Sequence, residues 1–357
     1  MPSYDLSELN LFKPKYSIDD VERKPIRPLG EVSDFVVYEM PKRLTAVRKR
    51  NEDAEALIDS IESLLFKKNI EQILSDLDTE KKNIVVLDLR MLQSAVMHSN
   101  GAFSEKINKF YNSLSDMTMK PNILTYEDLV LNNPKKDIRT FTEGFIGHSE
   151  ASFYVGHQIT EEKLEKVVRD LVSASQLLIL EFIDVPAADI NKAAESLYGC
   201  AKFMGVFAEM KREDYCEFRP YISHHSNLIG PSGRFSPGAA QMDLIFAGKG
   251  INYFNELESL VAKGYYQKEK IYLALETAKN GTAIMDSNLV SDNGGLRQSV
   301  KNFAQAVIDF RRQHYHIAHK QVPDVVENKV RGTSGEVNSG SFMKDRMKIY
   351  HEIVKDG

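Results

Sequence analysis

The chain has 357 residues, a net charge of −5, 42% hydrophobic and 27% charged residues. It therefore has the length for one large domain or two moderate ones, and its composition excludes a disordered chain. So small a net charge gives no basic field for nucleic acid, and two distant cysteines, Cys200 and Cys216, with no CxxC, exclude a disulfide framework or a zinc ribbon.

The first twenty residues have no apolar core, so no signal peptide is expected. No run reaches the ~18 apolar residues of a membrane span, so the expected location is the cytoplasm, with no membrane partner.

Residues 1–42 carry Pro14, Pro25, Pro28 and Pro41 and read as an irregular arm. In 45–77, Ala54, Leu57, Ile58, Ile61, Leu64 and Leu65 recur at helical spacing and predict one or two helices. "KNIVVLDLRMLQSAVM" (82–97) starts like a strand and continues like a helix, and its pattern does not decide between them. Residues 102–117 are amphipathic. Residues 118–158, with "NNPKKD", Gly144 and Gly147, read as loop-rich and as the boundary between a small region, 1–150, and a larger one, 151–357.

Beyond that boundary the chain reads as strongly helical. Thr160 is placed to cap one helix, with Leu164, Val168, Leu171, Leu178 and Phe182 near one face. Pro186 starts a second that runs to Pro220. After a glycine- and serine-rich loop (226–241), residues 252–278 and 296–322 predict two more long helices. A second glycine loop, "RGTSGEVNSGSF" (331–342), and a short helix close the chain. The expected fold is mainly α: a large helical bundle with a smaller, mostly helical N-terminal region.

"DFRRQHYHIAHKQ" (309–321) packs three histidines into six positions. Leu296, Val300, Phe303, Val307, Phe310, His314 and Ile317 alternate steps of four and three, one continuous stripe with His314 on it. His316 falls on the polar row of Ser299, Asn302, Ala306, Asp309 and Gln313, and His319 falls near Lys301, Gln305 and Arg312. At about 100° per residue His314 and His316 point about 200° apart and cannot share a metal. His314 is either a core histidine held by one hydrogen bond or a neutral imidazole offered to a metal from an apolar wall, where haem suits a helical bundle best.

"CEFRPYISHH" (216–225) sets Arg219 between Phe218 and Pro220, with Tyr215 and Tyr221 nearby. That setting suits two-pronged binding of a carboxylate and equally a structural ion pair. His224 and His225 read as solvent-facing. "GPSGRFSPGAA" is not a GxGxxG after a strand and has no Walker lysine, so a nucleotide site is not supported. "RGTSG" offers backbone N–H groups and the Thr333 hydroxyl to an anion, or is a surface turn.

Three blocks in the C-terminal 60% of the chain are similar to the haem-dependent indoleamine/tryptophan 2,3-dioxygenase superfamily, and more closely to its monodechloroaminopyrrolnitrin synthase branch. "FRPYI" (218–222) resembles the segment that holds the substrate carboxylate. "RFSPGAAQMDLIF" (234–246) resembles a small-residue stretch of the distal pocket. "FRRQHYHIAHK" followed by "RGTSG" resembles the proximal-histidine helix with its downstream glycine loop. The sequence departs from the branch at Val322, where an aromatic is expected, and at Ser334, where a glycine is expected. Residues 1–150 carry no match.

The resemblance implies an oxidoreductase of the oxygenase type with haem b on His314. Its substrate would be a tryptophan-like amino acid or indole derivative in secondary metabolism, with O₂ or peroxide as oxidant. Arg219 and Tyr221 would bind the substrate, with Arg219 on its carboxylate. Gly238, Ala239 and Ala240 would shape the distal wall, and Thr333 and Ser334 would meet the substrate ammonium or a propionate. Arg219 and Thr333 would be the catalytic positioning groups. Ring cleavage of the tryptophan 2,3-dioxygenase type needs no net electrons, whereas a ring rearrangement needs an external reductant or peroxide. Two rival readings are a non-haem metal hydrolase on His316 and His319, and a helical ligand-binding protein without chemistry.

Overall fold

The computed structural model describes residues 11–13, 15–67, 69–99, 102–225, 228–327, 331 and 344–355. Among them the fold is helical throughout, without strands. In chain order α1 (Glu31–Asp34) passes through a π turn (Phe35–Glu39) into α2 (Met40–Arg48). There follow α3 (Ala54–Phe66), α4 (Ile70–Asp76), α5 (Thr79–His98), α6 (Glu105–Thr118), α7 (Gly144–Ile179), α8 (Asp184–Met204) and α9 (Arg212–Phe218). The rest are α10 (Pro237–Ala247), α11 (Phe254–Ala262), α12 (Lys268–Lys279), α13 (Asn288–Asp292), α14 (Gly294–Gln321), α15 (Pro323–Val326) and α16 (Lys348–Lys355).

Side chains fix many of the helix starts. Asp53, Asn69, Asp78, Ser104, Ser236 and Asn293 each accept a backbone N–H of the first turn that follows them. The described residues gather into two compact units, one from Met1–His157 and Glu209–Gly233, the other from Gln158–Ala208, Arg234–Gly332 and Glu336–Gly357. The division expected after residue 150 falls inside α7.

In the first unit α5 is buried on every side. Thirteen consecutive residues, Ile84 to Val96, are out of solvent. A helix with no wet face shows no 3.6-residue alternation, which is why its sequence imitates a strand. Its buried carboxylate is matched: Asp88 accepts from Arg139 Nε at 2.9 Å and from Ser33 Oγ at 2.6 Å. Arg139 also bonds the Asp137 carboxylate at 2.9 Å and the Ile26 carbonyl at 2.6 Å, so the proline-rich stretch is stitched to this network. Of the expected irregular arm, the described residues before Glu31 hold one 3₁₀ turn, Ile18–Asp20, and the chain is α-helical from Glu31. Pro41 is the second residue of α2, directly after the π turn Phe35–Glu39, where the i→i−4 ladder is already interrupted.

The stretch 118–158, expected to be loop, is helical from Gly144 onward. Gly147 lies inside α7 because a Cβ there would meet the Thr142 carbonyl at 2.6 Å and Ile18 at 2.8 Å. The glycine thus serves a close approach rather than a turn. Thr160 accordingly is not a cap but a buried residue in mid-helix.

In the second unit α14 packs along α8, with Asn191 Nδ2 donating to Ser299 Oγ at 2.9 Å. Helix α10 packs on α12, and α16 packs on α14. The single helix expected over 252–278 breaks into α11 and α12 at Gly264, whose φ of +77° suits glycine. The one expected from Pro186 to Pro220 breaks at 3₁₀ turns over Gly205–Glu209 and Arg219–Ile222.

Candidate functional site

Asn293 caps α14 by accepting the Leu296 N–H at 2.9 Å. The stripe behaves as its spacing predicts: Leu296, Val300, Phe303, Val307, Phe310 and Ile317 are buried. His314 is half-buried, the one point where that stripe meets partial exposure. His316 and His319 are exposed, with His319 Nε2 3.6 Å from Glu327. The row expected to be polar is partly covered: Ser299, which accepts from Asn191 of α8, and Ala306 are buried. Among the described residues no group of three histidine, cysteine or carboxylate side chains has the geometry to hold a metal ion.

One turn before His314, Arg311 enters the core and pairs with the fully buried Asp243 of α10. The same carboxylate accepts the hydroxyls of Tyr253 and Tyr350. Burial by itself would lower the Arg311 guanidinium; Asp243 and the two phenols outweigh it and raise it. This hub ties α10, α14 and α16 together one turn of α14 from His314. Sequence reasoning missed it, although Asp243 stands alone in the apolar run "MDLIFA".

The small residues 238–240 open α10 behind the Ser236 cap, which accepts the Ala239 N–H at 3.1 Å. Gly238 is required by α7: a Cβ there would sit 2.7 Å from Leu164 and 2.9 Å from the Glu161 carboxylate. The Gly238 N–H donates to that carboxylate at 3.0 Å. Ala240 is buried and Ala239 half-buried. Gly238 is therefore explained by helix–helix approach. Thr333 and Ser334 lie outside the described residues.

Arg219 and Tyr221 belong to the first unit. Helix α9 ends at Phe218, and Pro220 opens the 3₁₀ turn Arg219–Ile222. The half-buried Arg219 guanidinium hydrogen-bonds the Tyr215 phenol oxygen. Tyr221 is buried and stacked on Phe141, 5.1 Å between centroids, and burial pushes its hydroxyl up to about 12. Beside Tyr215, an aromatic cluster forms around Phe153: its ring is 5.6 Å from Tyr215 and from Phe218 and 4.3 Å from His157.

His157 was not singled out by sequence, yet Phe153 and His157 stand four apart on one helix. His157 Nδ1 is 2.8 Å from the Phe153 carbonyl, which can only accept, so the proton sits on Nδ1 and Nε2 is the acceptor nitrogen. Burial pushes this imidazole down to about 4, so it is neutral near pH 7. Below the cluster, the buried Glu150 accepts from the Phe141 and Thr142 N–H groups, the Thr142 hydroxyl and the Tyr154 hydroxyl.

Three histidines of this unit share a low titration range. Burial pushes His98, His148 and His157 each down to about 4. His148 is fully buried, and neither ring nitrogen has a hydrogen-bond partner among the described residues. These groups are neutral in the folded unit and protonated in the unfolded chain below about pH 6.5, so stability is lost as pH falls from 6.5 towards 4. Glu150, raised by burial to about 7, works in the opposite direction. The net expectation is a loss of roughly 1–3 kcal/mol by pH 5, after discounting the half-buried His98 and His157. Urea midpoints by circular dichroism at pH 7 and pH 5 check this, with hydrogen exchange showing that α5 loses protection before α14. A pH-independent midpoint would contradict it.

A scan of protein-family models finds no match to this chain, and a search of curated proteins finds no relative. Among the described residues no helix is long and apolar enough to cross a membrane. What the structure defines is thus a mainly α protein with two groups of candidate residues: His314 above the Arg311–Asp243 hub in the second unit, and Arg219 with its aromatic neighbours in the first.

Proposed function

We propose that the protein is a haem b-dependent oxygenase acting on a tryptophan-like aromatic amino acid or indole derivative. The observation that carries this reading is the position of His314, a half-buried imidazole on a stripe of α14 that is otherwise buried. A haem iron needs one axial imidazole, and a half-buried histidine on an otherwise buried stripe suits it. His314 would hold the iron through a ring nitrogen, and Arg311, locked to Asp243, would keep that turn of α14 in place. The group supplies oxidation chemistry with O₂ or peroxide when bound.

The chain's own residues bind and orient the substrate. Arg219, set by Tyr215, would take the carboxylate through paired N–H donors. Phe153, half-buried and backed by the buried Phe218, would offer its ring to an aromatic side chain. His157, neutral with Nε2 as acceptor, would accept a ring N–H. Holding the reacting ring in one pose lowers the barrier by several kcal/mol. A tryptophan 2,3-dioxygenase-type cleavage and a ring rearrangement assisted by an external reductant both use these roles.

Protein purified with haemin supplied should show a Soret band. A colourless protein that rejects added haemin would sink the reading and leave a helical ligand-binding protein. The chain has no tryptophan, so the fluorescence of added L-tryptophan reports its binding directly. Arg219→Ala should raise the Kd for L-tryptophan by roughly tenfold or more, the loss of a charge-assisted pair of hydrogen bonds, with the Soret band kept. An unchanged Kd removes Arg219 from the site.

A further inference from the structure

Arg90 and Arg139 are both fully buried in the first unit, and they are held differently. Arg139 meets the carboxylates of Asp88 and Asp137. Arg90, on α5, meets amide oxygens instead: its Nη1 donates to Gln93 Oε1 at 2.7 Å and to Asn122 Oδ1 at 2.6 Å. Among the described residues no carboxylate stands at ion-pair distance from it. Asp128 acts on it electrostatically, but that carboxylate is held by Lys120 Nζ at 2.6 Å and by the Thr125 hydroxyl at 2.7 Å. Lys120 also engages Glu127, at 3.0 Å.

The two Arg90 nitrogens without a partner among the described residues are Nε and Nη2. They share one edge of the planar guanidinium, the edge that presents two parallel N–H bonds to a pair of oxygens. Both are shut off from solvent, so bulk water does not serve them. Charged donors left unmade in the interior are a costly arrangement for a fold to keep. From Arg90 the polar side chains lead outward. Gln93 Nε2 donates to Asn122 Oδ1 at 2.8 Å, and the half-buried Asn122 donates to the exposed Asn112 of α6 at 2.6 Å.

We infer that Arg90 is the anchor of a small-anion site: its Nε and Nη2 hold a carboxylate of one or two carbons, such as formate. Three properties of the residue select that ligand. The guanidinium is a cation met only by neutral amide oxygens, so the ligand is an anion. The open edge offers two coplanar donors, which match the two oxygens of a carboxylate. Arg90 has no exposed surface, so the ligand has few atoms and arrives past Asn112 and Asn122. The bound anion supplies the contact counter-charge to α5 beside the chain that carries Lys120 and Asn122. Stability of the first unit therefore rises with its concentration. The site uses neither Arg219 nor His314 and does not rest on the haem reading.

Sodium formate exchanged for sodium gluconate at constant ionic strength tests this on the full chain. Gluconate carries the same carboxylate but is too large to reach a side chain without exposed surface. Urea unfolding by circular dichroism gives the stability, and hydrogen exchange locates the change. With formate at ten times its Kd, the unfolding equilibrium constant should fall about tenfold, with protection gained in α5 and α6 and not in α14. Arg90→Met, which has no charge to satisfy, should not respond to formate. Asn122→Asp covers a failure of that variant to fold. It sets a carboxylate where Asn122 Oδ1 already meets Arg90, supplies the counter-charge from the chain itself, and should lose most of the response. A wild-type midpoint that is the same in formate and gluconate overturns the site. So does a response of wild-type size in either variant, or protection gained equally in α14, which marks a general salt effect.

Discussion

His314→Ala is expected to abolish the Soret band of protein purified with haem supplied, whereas His316→Ala and His319→Ala keep it. The effect should be a loss rather than a weakening, because α14 brings no second imidazole to that side. His316 lies about 200° round the helix from His314, and both it and His319 are exposed. An axial bond from an exposed histidine would place the porphyrin against water. One from His314 continues the buried stripe that begins at Leu296, where apolar ring surface gains about 25 cal/mol for each Å² removed from water. Soret absorbance and the haem content of purified protein measure this together. If the band survives in His314→Ala and collapses in His316→Ala, the ligand lies on the wet face and the proposed site is wrong.

Asp243→Ala is expected to destabilise the second unit by about 3–5 kcal/mol, the cost of leaving a buried guanidinium without its carboxylate. Arg311, Tyr253 and Tyr350 all converge on Asp243, so one truncation strands three donors in a place water does not reach. Replacing Asp243 and Arg311 together by Leu and Met should recover much of the loss, since an apolar pair of similar volume carries no stranded charge. Urea unfolding followed by circular dichroism gives both numbers. A single variant within about 1 kcal/mol of the parent would show that water reaches the hub. Because Arg311 is one turn from His314, the single variant should also bind haem less well at temperatures where the fold survives.

The helical class and the burial of the α14 stripe were legible in the sequence, because a helix with one wet face prints its period on the chain. The same reasoning placed His316 and His319 outside. It failed where packing overrode the local signal. Gly144 and Gly147 looked like a loop, but Gly147 is a contact point inside α7. Gly264 broke a helix that the hydrophobic spacing alone carried straight through. The hub on Asp243 and the cluster about Phe153 and His157 join residues far apart in sequence or hidden in apolar runs. No spacing rule reports which buried charge meets which. Gly238, which the resemblance assigns to a pocket wall, also stands where Leu164 and Glu161 come too close for a side chain.

The complete burial of α5 sets the terms on which this chain can vary. On α14, substitutions should be tolerated at one residue in every three or four, where the helix meets solvent. From Ile84 to Val96 there is no such position. Each side chain there is either packed or paired, so a polar exchange strands a group and a smaller residue opens a void. The stretch is therefore intolerant as a block, without rhythm. Drift in that part of the chain must proceed by paired changes, such as a shift at Asp88 matched at Arg139, rather than one residue at a time.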